Sequence, residues 1–181
     1  REKIISELDY IGEIDQKFAG IPSNELLQKY GRENAWKVFE TKRDSIGIDN
    51  QKRIKKLYAQ YGYLGFDQVG RENAAKFWLP IQHADNDVEF QQKMLQQLAI
   101  EIKKNNAEKS NYAMLEDRVA INLNKKQRFG TQVIYNLKGQ AIPKNGLRDS
   151  INIDKLRSEY GLSGFKEYYN LMTTNHFEMN K

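Results

Sequence analysis

The sequence predicts a mainly α-helical domain carrying one small antiparallel β-hairpin near residues 131–143. Apolar residues recur at helical spacing through most of the chain. Only three prolines and twelve glycines interrupt its 181 residues. One stretch, residues 131–135, turns β-branched and aromatic, and Gln140-Ala141-Ile142 answers it.

Residues 3–18 place Ile4, Ile5, Leu8, Ile11, Gly12 and Ile14 at helical spacing, which predicts a first helix. Pro22-Ser23-Asn24 restarts the chain, with Ser23 as N-cap of a short helix over residues 25–30. Residues 31–49 suit either a continued helix or an extended piece. Asp49 or Asn50 is expected to cap a helix carrying Ile54, Leu57 and Tyr58, which stops at Tyr61-Gly62 before a tight turn. Residues 71–83 read as a helix apolar on two sides, with Ala74, Phe77, Trp78 and Ile81 on one and Ala75 and Leu79 on the other. That is the pattern of a central element. Asp87 caps a long helix to about Lys104, and residues 110–124 form another on Tyr112, Leu115, Val119 and Leu123. Residues 136–139 make the hairpin turn. Helices near residues 152–160 and 164–172 close the chain, and the polar tail after Met172 is expected to fray. The whole reads as a single domain: a helical extension or insertion over residues 1–49, a core over 50–172 and a tail over 173–181.

Two local echoes stand out. Gly31-Arg32-Glu33-Asn34-Ala35 recurs as Gly70-Arg71-Glu72-Asn73-Ala74. Ile54 and Leu57 with Tyr61-Gly62 and Gly65-Phe66 recur as Ile153 and Leu156 with Tyr160-Gly161 and Gly164-Phe165, a helix stop and tight turn used twice. The two separations share no period, so this is not a repeat protein.

Composition excludes several classes. Eight Phe, ten Tyr and two Trp argue against a disordered chain. No apolar run approaches the roughly 20 residues needed to span a bilayer. The absence of cysteine removes disulfide scaffolds, thiolate metal sites and cysteine nucleophiles, and fits either redox compartment. The sequence starts at Arg1, and a removed secretory signal is one ordinary reason, so export and a cytoplasmic location both remain open. The net charge of +5 is uneven: residues 1–50 carry 8 Lys/Arg against 10 Asp/Glu, and positive clusters sit at Lys52-Arg53 with Lys55-Lys56 and at Lys125-Lys126 with Arg128. Acidic residues are mixed in throughout, which argues against a nucleic-acid binder.

Chemistry is sought among few residues. His83 ends the central helix and points about 170° away from the Phe77/Trp78/Ile81 face, taking ~100° per residue. It is read either as a buried or capping histidine or as a general base. Asp85 and Asp87 follow, but no second histidine pairs with them as a metal site would need. Gln91 falls within the apolar face of Val88, Leu95, Leu98 and Ile102, so its amide needs partners: a neighbouring helix end, or His83 or a ligand. Asp117 and Arg118 lie off the Leu115/Val119 stripe, either as a surface pair or with Arg118 as an anion clamp. Gln127, Phe129, Gly130, Thr131 and Gln132 follow, where the glycine either admits a close backbone approach or makes a bend. Phosphate-cradling loops, dinucleotide fingerprints, nucleophile elbows and paired-histidine zinc motifs are absent.

Taken together, these motifs resemble the bacterial domain-of-unknown-function family 6624. The resemblance is carried by His83-Ala84-Asp85 with Asp87, Phe90 and Gln91, by Leu115 with Asp117-Arg118-Val119, and by Gln127, Phe129, Gly130, Thr131 and Gln132. Arg157 with Gly161-Leu162, Glu167-Tyr168, and Asp15-Gln16 near the N-terminus are also similar. The family usually has tyrosine where Phe129 stands, which removes a hydroxyl, and commonly tryptophan-proline where Tyr63-Leu64 stands. The resemblance implies no activity, because the family is functionally uncharacterised; some members carry export signals.

Two functional readings follow. The first is a binding or structural module, in which His83, Asp117, Arg118 and the surrounding amides tie helices to the hairpin. The second is a small-molecule hydrolase or other enzyme with His83 as base and Arg118 clamping an anion. Asp117 would assist, and Asp85, Gln91, Gln127, Thr131, Gln132 and Arg157 would line the ligand site. A small anionic ligand is the expected partner, and no metal or cofactor is expected.

Overall fold

The computed structural model describes residues 1–18 and 20–179. It is 69% helical, with a single small antiparallel sheet among the described residues. The chain divides into two compact units, Arg1–Ala84 and the remainder from Asp85 onward.

The first unit packs three helices: α1 (Glu2–Lys17), α2 (Asn24–Tyr61) and α3 (Phe66–Gln82). Leu8 and Ile11 of α1, Phe39, Ile54 and Leu57 of α2, and Phe77 and Ile81 of α3 are buried. Burying each such side chain is worth about 1.5–3 kcal/mol. Ser23 caps α2, its side chain accepting from the Leu26 N–H. The ambiguous residues 31–49 are helical, within α2. The expected cap at Asp49 or Asn50 does not exist, because the helix runs straight through both. Asp49 instead pairs with Arg53 one turn on, and buried Asn50 reaches back to the Ile11 carbonyl. The boundary expected after residue 49 therefore falls inside α2. On α3, Ala75 is exposed and Leu79 half-buried, so the second apolar face is weaker than the first. A Cβ added at Gly12 would meet the stem of Lys76 at 3.0 Å, where that side chain crosses to reach Asp9 and Glu72.

The repeated pentapeptide proves to be one structural device used twice. Gly31 (φ 71°, ψ 163°) and Gly70 (φ 79°, ψ 167°) each interrupt a helix with almost the same backbone. Each is followed by a Glu–Lys pair one turn apart, Glu33–Lys37 and Glu72–Lys76, and by a buried alanine, Ala35 and Ala74. That φ/ψ region is essentially closed to side chains with a Cβ.

The second unit opens with α4 (Val88–Lys103), capped by Asp87 on the Phe90 N–H, packed on α5 (Lys109–Asn122). Strands β1 (Val133–Tyr135) and β2 (Ala141–Pro143) pair antiparallel with Ile134 opposite Ile142. Helices α6 (Ile153–Glu159) and α7 (Phe165–Met179) follow. The tail expected to fray after Met172 is part of α7, and it covers the hairpin. Thr173 accepts from the Ala141 N–H, and His176 stacks on Tyr135 at 3.8 Å. Residues 180–181 of that expected tail lie outside the described residues. A two-stranded hairpin is marginal alone, so this cover is what a short hairpin needs.

The glycine device is directly testable. Gly31→Ala and Gly70→Ala should each cost about 1–3 kcal/mol in urea unfolding, the range for a forbidden backbone conformation. A new Cβ at either site meets nothing within 4 Å, so the loss reports the backbone alone. An alanine variant as stable as the parent would contradict it.

Candidate functional site

Asp117 and Arg118 are neighbours on α5 and therefore point in directions about 100° apart. Asp117 is fully buried. Its Oδ1 accepts from the backbone N–H groups of Arg128 (2.7 Å) and Phe129 (3.1 Å). Its Oδ2 accepts from the Thr131 N–H (2.9 Å) and the Thr131 hydroxyl (3.0 Å). The carbonyls of the same segment are met from elsewhere. Arg157, 1% exposed, donates to the carbonyls of Phe129 (2.7 Å) and Gly130 (3.3 Å) and to Ser163 (2.7 Å). Tyr169 donates its hydroxyl to the Gly130 carbonyl and Tyr168 to that of Thr131. Gln127, also fully buried, donates to the carbonyls of Gln132 and Lys144 and accepts from the Gln132 N–H. Buried polar groups demand partners of this kind, and here they find them.

Gly130 sits at φ 64°, and a Cβ there would meet Leu147 and Phe165 at 2.9 Å. Both readings of this glycine therefore hold: it bends the chain and lets other groups approach. The Phe129 ring is buried against Tyr160 at 4.7 Å. Burial raises Tyr168 and Tyr169 above the ordinary tyrosine range. Burial first, then the charge of Glu116, pushes Tyr112 up to about 12. Burial also lowers Arg157, against the favourable fields of Tyr168, Tyr169 and Asp117.

A second group lies at the α4–α5 ends. Gln91 is fully buried and accepts from the Asn122 amide at 2.9 Å, the helix-end partner its position called for. Asp85 Oδ1 accepts from Asn122 (2.8 Å) and Gln91 (3.4 Å). Asp85 Oδ2 stands 3.6 Å from Arg118 Nη1, an ion pair longer than a hydrogen bond. Arg118 is about three-quarters shielded, and its Nε is sealed from solvent with no hydrogen-bond partner among the described residues. The Asp85 carboxylate is 48% exposed.

His83 belongs to the first unit, where it caps the C-terminus of α3 with its side chain about half exposed rather than buried. Its Nδ1 faces Asp15 Oδ1 at 4.0 Å. The sequence-predicted residues thus separate. Asp117, Gln127, Thr131, Gln132 and Arg157 gather on the 127–132 segment. Asp85, Gln91 and Arg118 group with Asn122, and His83 faces Asp15. Sequence reasoning missed Asn122, although it lies one turn from Arg118 on the same face, and Tyr169, which only its place beside Tyr168 hints at. Among the described residues, no group of three His, Asp or Glu side chains could hold a metal ion, and no helix is long and apolar enough to cross a membrane.

This helical architecture with a braced hairpin coincides with a family match. The model of a family of unknown function (DUF6624) matches residues 7–178, and the chain belongs to that family. The match takes in α1 and α2 as well as the region from residue 50 onward. Neither a curated protein nor a solved structure matches the chain.

Two measurements probe the brace. Arg157→Leu leaves the Phe129 and Ser163 carbonyls without this donor, and the Gly130 carbonyl with Tyr169 alone, and should lower stability by about 3 kcal/mol or more, whereas Tyr169→Phe, losing one hydrogen bond, should cost about 1 kcal/mol. Equal, negligible losses in denaturant would refute it. The tyrosines give a pH test. Tyr112 stays neutral in the fold to about 12 but ionises near 10 when unfolded, so stability should fall as pH rises from 10 to 12. Absorbance titration should show at least three tyrosinates forming late, one of them missing in Tyr112→Phe.

Proposed function

We propose that this protein is a non-catalytic binding module, and that Arg118 and Asp85 receive a small carboxylate-bearing ligand. One observation carries the reading: Arg118 is partly shielded, and its Nη1 lies beyond hydrogen-bond reach of the half-exposed Asp85 carboxylate, its one ion-pair partner among the described residues, so its outer nitrogens are left to meet an acceptor. A guanidinium presents parallel donors that match the two oxygens of a carboxylate. Asp85, fixed by Gln91 and Asn122, adds a negative charge beside that seat. It repels a dianion and accepts from a hydroxyl or ammonium on the ligand. The favoured class is therefore a small monocarboxylate with a donor group next to its carboxylate.

The hydrolytic alternative is weaker on the same geometry. Asp117 has both oxygens occupied by its own chain, so it has no room to move a proton. Its work, with Arg157 and Gln127, is to hold the segment that follows α5.

Calorimetric titration with lactate, alanine, acetate and inorganic phosphate tests this. Lactate or alanine should bind more tightly than acetate and phosphate. Arg118→Ala should abolish binding with the melting temperature within a few degrees of the parent, and Asp85→Asn should erase the preference. Binding that survives Arg118→Ala, or no binding of any of the four, would overturn the reading.

A further inference from the structure

The positive cluster at Lys52-Arg53 and Lys55-Lys56 is not an evenly solvated surface. It lines a groove of about 590 Å³ between α1 and α2 of the first unit. Lys52, Lys55 and Lys56 are three and four residues apart and share one face of α2, and Lys3 of α1 lines the same groove. Its apolar lining comes from half-buried Ile4, buried Leu57 and the Tyr61 ring, which is 40% exposed.

The two carboxylates of the groove are already engaged. Glu7 and Asp49 each take Arg53 at 2.7 Å. That pairing neutralises Arg53 and fixes the carboxylates in place, and Lys3, Lys52 and Lys56 stand around an apolar strip. The excess is local, since residues 1–50 as a whole carry more acid than base.

We propose that this groove docks an acidic amphipathic helix of another protein. The apolar stripe of such a helix would rest on Ile4, Leu57 and Tyr61, and its flanking carboxylates would pair with Lys3, Lys52 and Lys56. A nucleic-acid strand fits less well. Every linkage of such a strand carries a charge, so some phosphates would face Glu7 and Asp49. Carboxylates on a helix are spaced by about 5–6 Å at one turn, and positions facing Glu7 and Asp49 can be left uncharged.

Fluorescence anisotropy with the full chain tests this, using a labelled helical peptide with leucine at positions i, i+3, i+4 and i+7 and glutamate between. A peptide of the same composition with scrambled order and a single-stranded oligonucleotide serve as competitors. The ordered peptide should bind more tightly than both. Lys52→Glu/Lys56→Glu should weaken it at least tenfold, and Lys52→Gln/Lys56→Gln several-fold. Circular dichroism establishes that each variant folds; should the glutamate pair not fold, the glutamine pair decides. Failure of the ordered peptide to bind, equal binding of the scrambled one, affinity unchanged in the variants, or tighter binding of the oligonucleotide would each overturn the proposal.

Discussion

Between Arg128 and Thr131 the chain bends through a left-handed glycine inside the second unit, where regular ladder bonds cannot reach it. Its N–H groups converge on one buried carboxylate, Asp117, and its carbonyls on one buried guanidinium, Arg157, and two tyrosine hydroxyls. An unmet backbone group in such a place costs as much as a lost hydrogen bond, so each of these donors and acceptors adds to holding the segment. Asp117 comes from α5, Arg157 from α6 and Tyr168 and Tyr169 from α7. The bend therefore ties three helices to the start of the hairpin. Much of the hydrogen bonding that joins α5, α6 and α7 runs through these few side chains.

The same arrangement divides the labour between neighbours. Asp117 faces inward and is fully engaged; Arg118, one step along the helix, faces Asp85 and keeps an unbonded nitrogen. On the binding reading proposed above, the rigidity supplied by the first would make the second a preorganised seat. Preorganisation of this kind lowers the ordering cost of binding.

Much of the architecture was legible in the residues because periodicity and capping are local. Ser23 and Asp87 announce helix starts by chemistry that acts over three residues, and both perform it. The hairpin announces itself by a change of period. The failures have the opposite character. Asp49 and Asn50 look like caps, but a long-range bond from Asn50 to Ile11 and the pairing of Asp49 with Arg53 keep the helix intact. The polar residues after Met172 look frayed because the hairpin they cover is distant in sequence. Within the site, residue types and order were readable, but the burial of Asp117 was not. A carboxylate off the apolar stripe looks like a surface group until the loop that fills its oxygens is placed against it.

The claim that adjacent residues serve the fold and the ligand separately is best tested by comparing two variants. Chemical unfolding of Asp117→Asn and Arg118→Ala should give a loss above about 2 kcal/mol for the first, since an amide cannot accept from all these donors. The second should lose less than about 1 kcal/mol, since its ion pair is long and its carboxylate partner is half exposed. Comparable losses, or a greater loss at Arg118, would contradict the account.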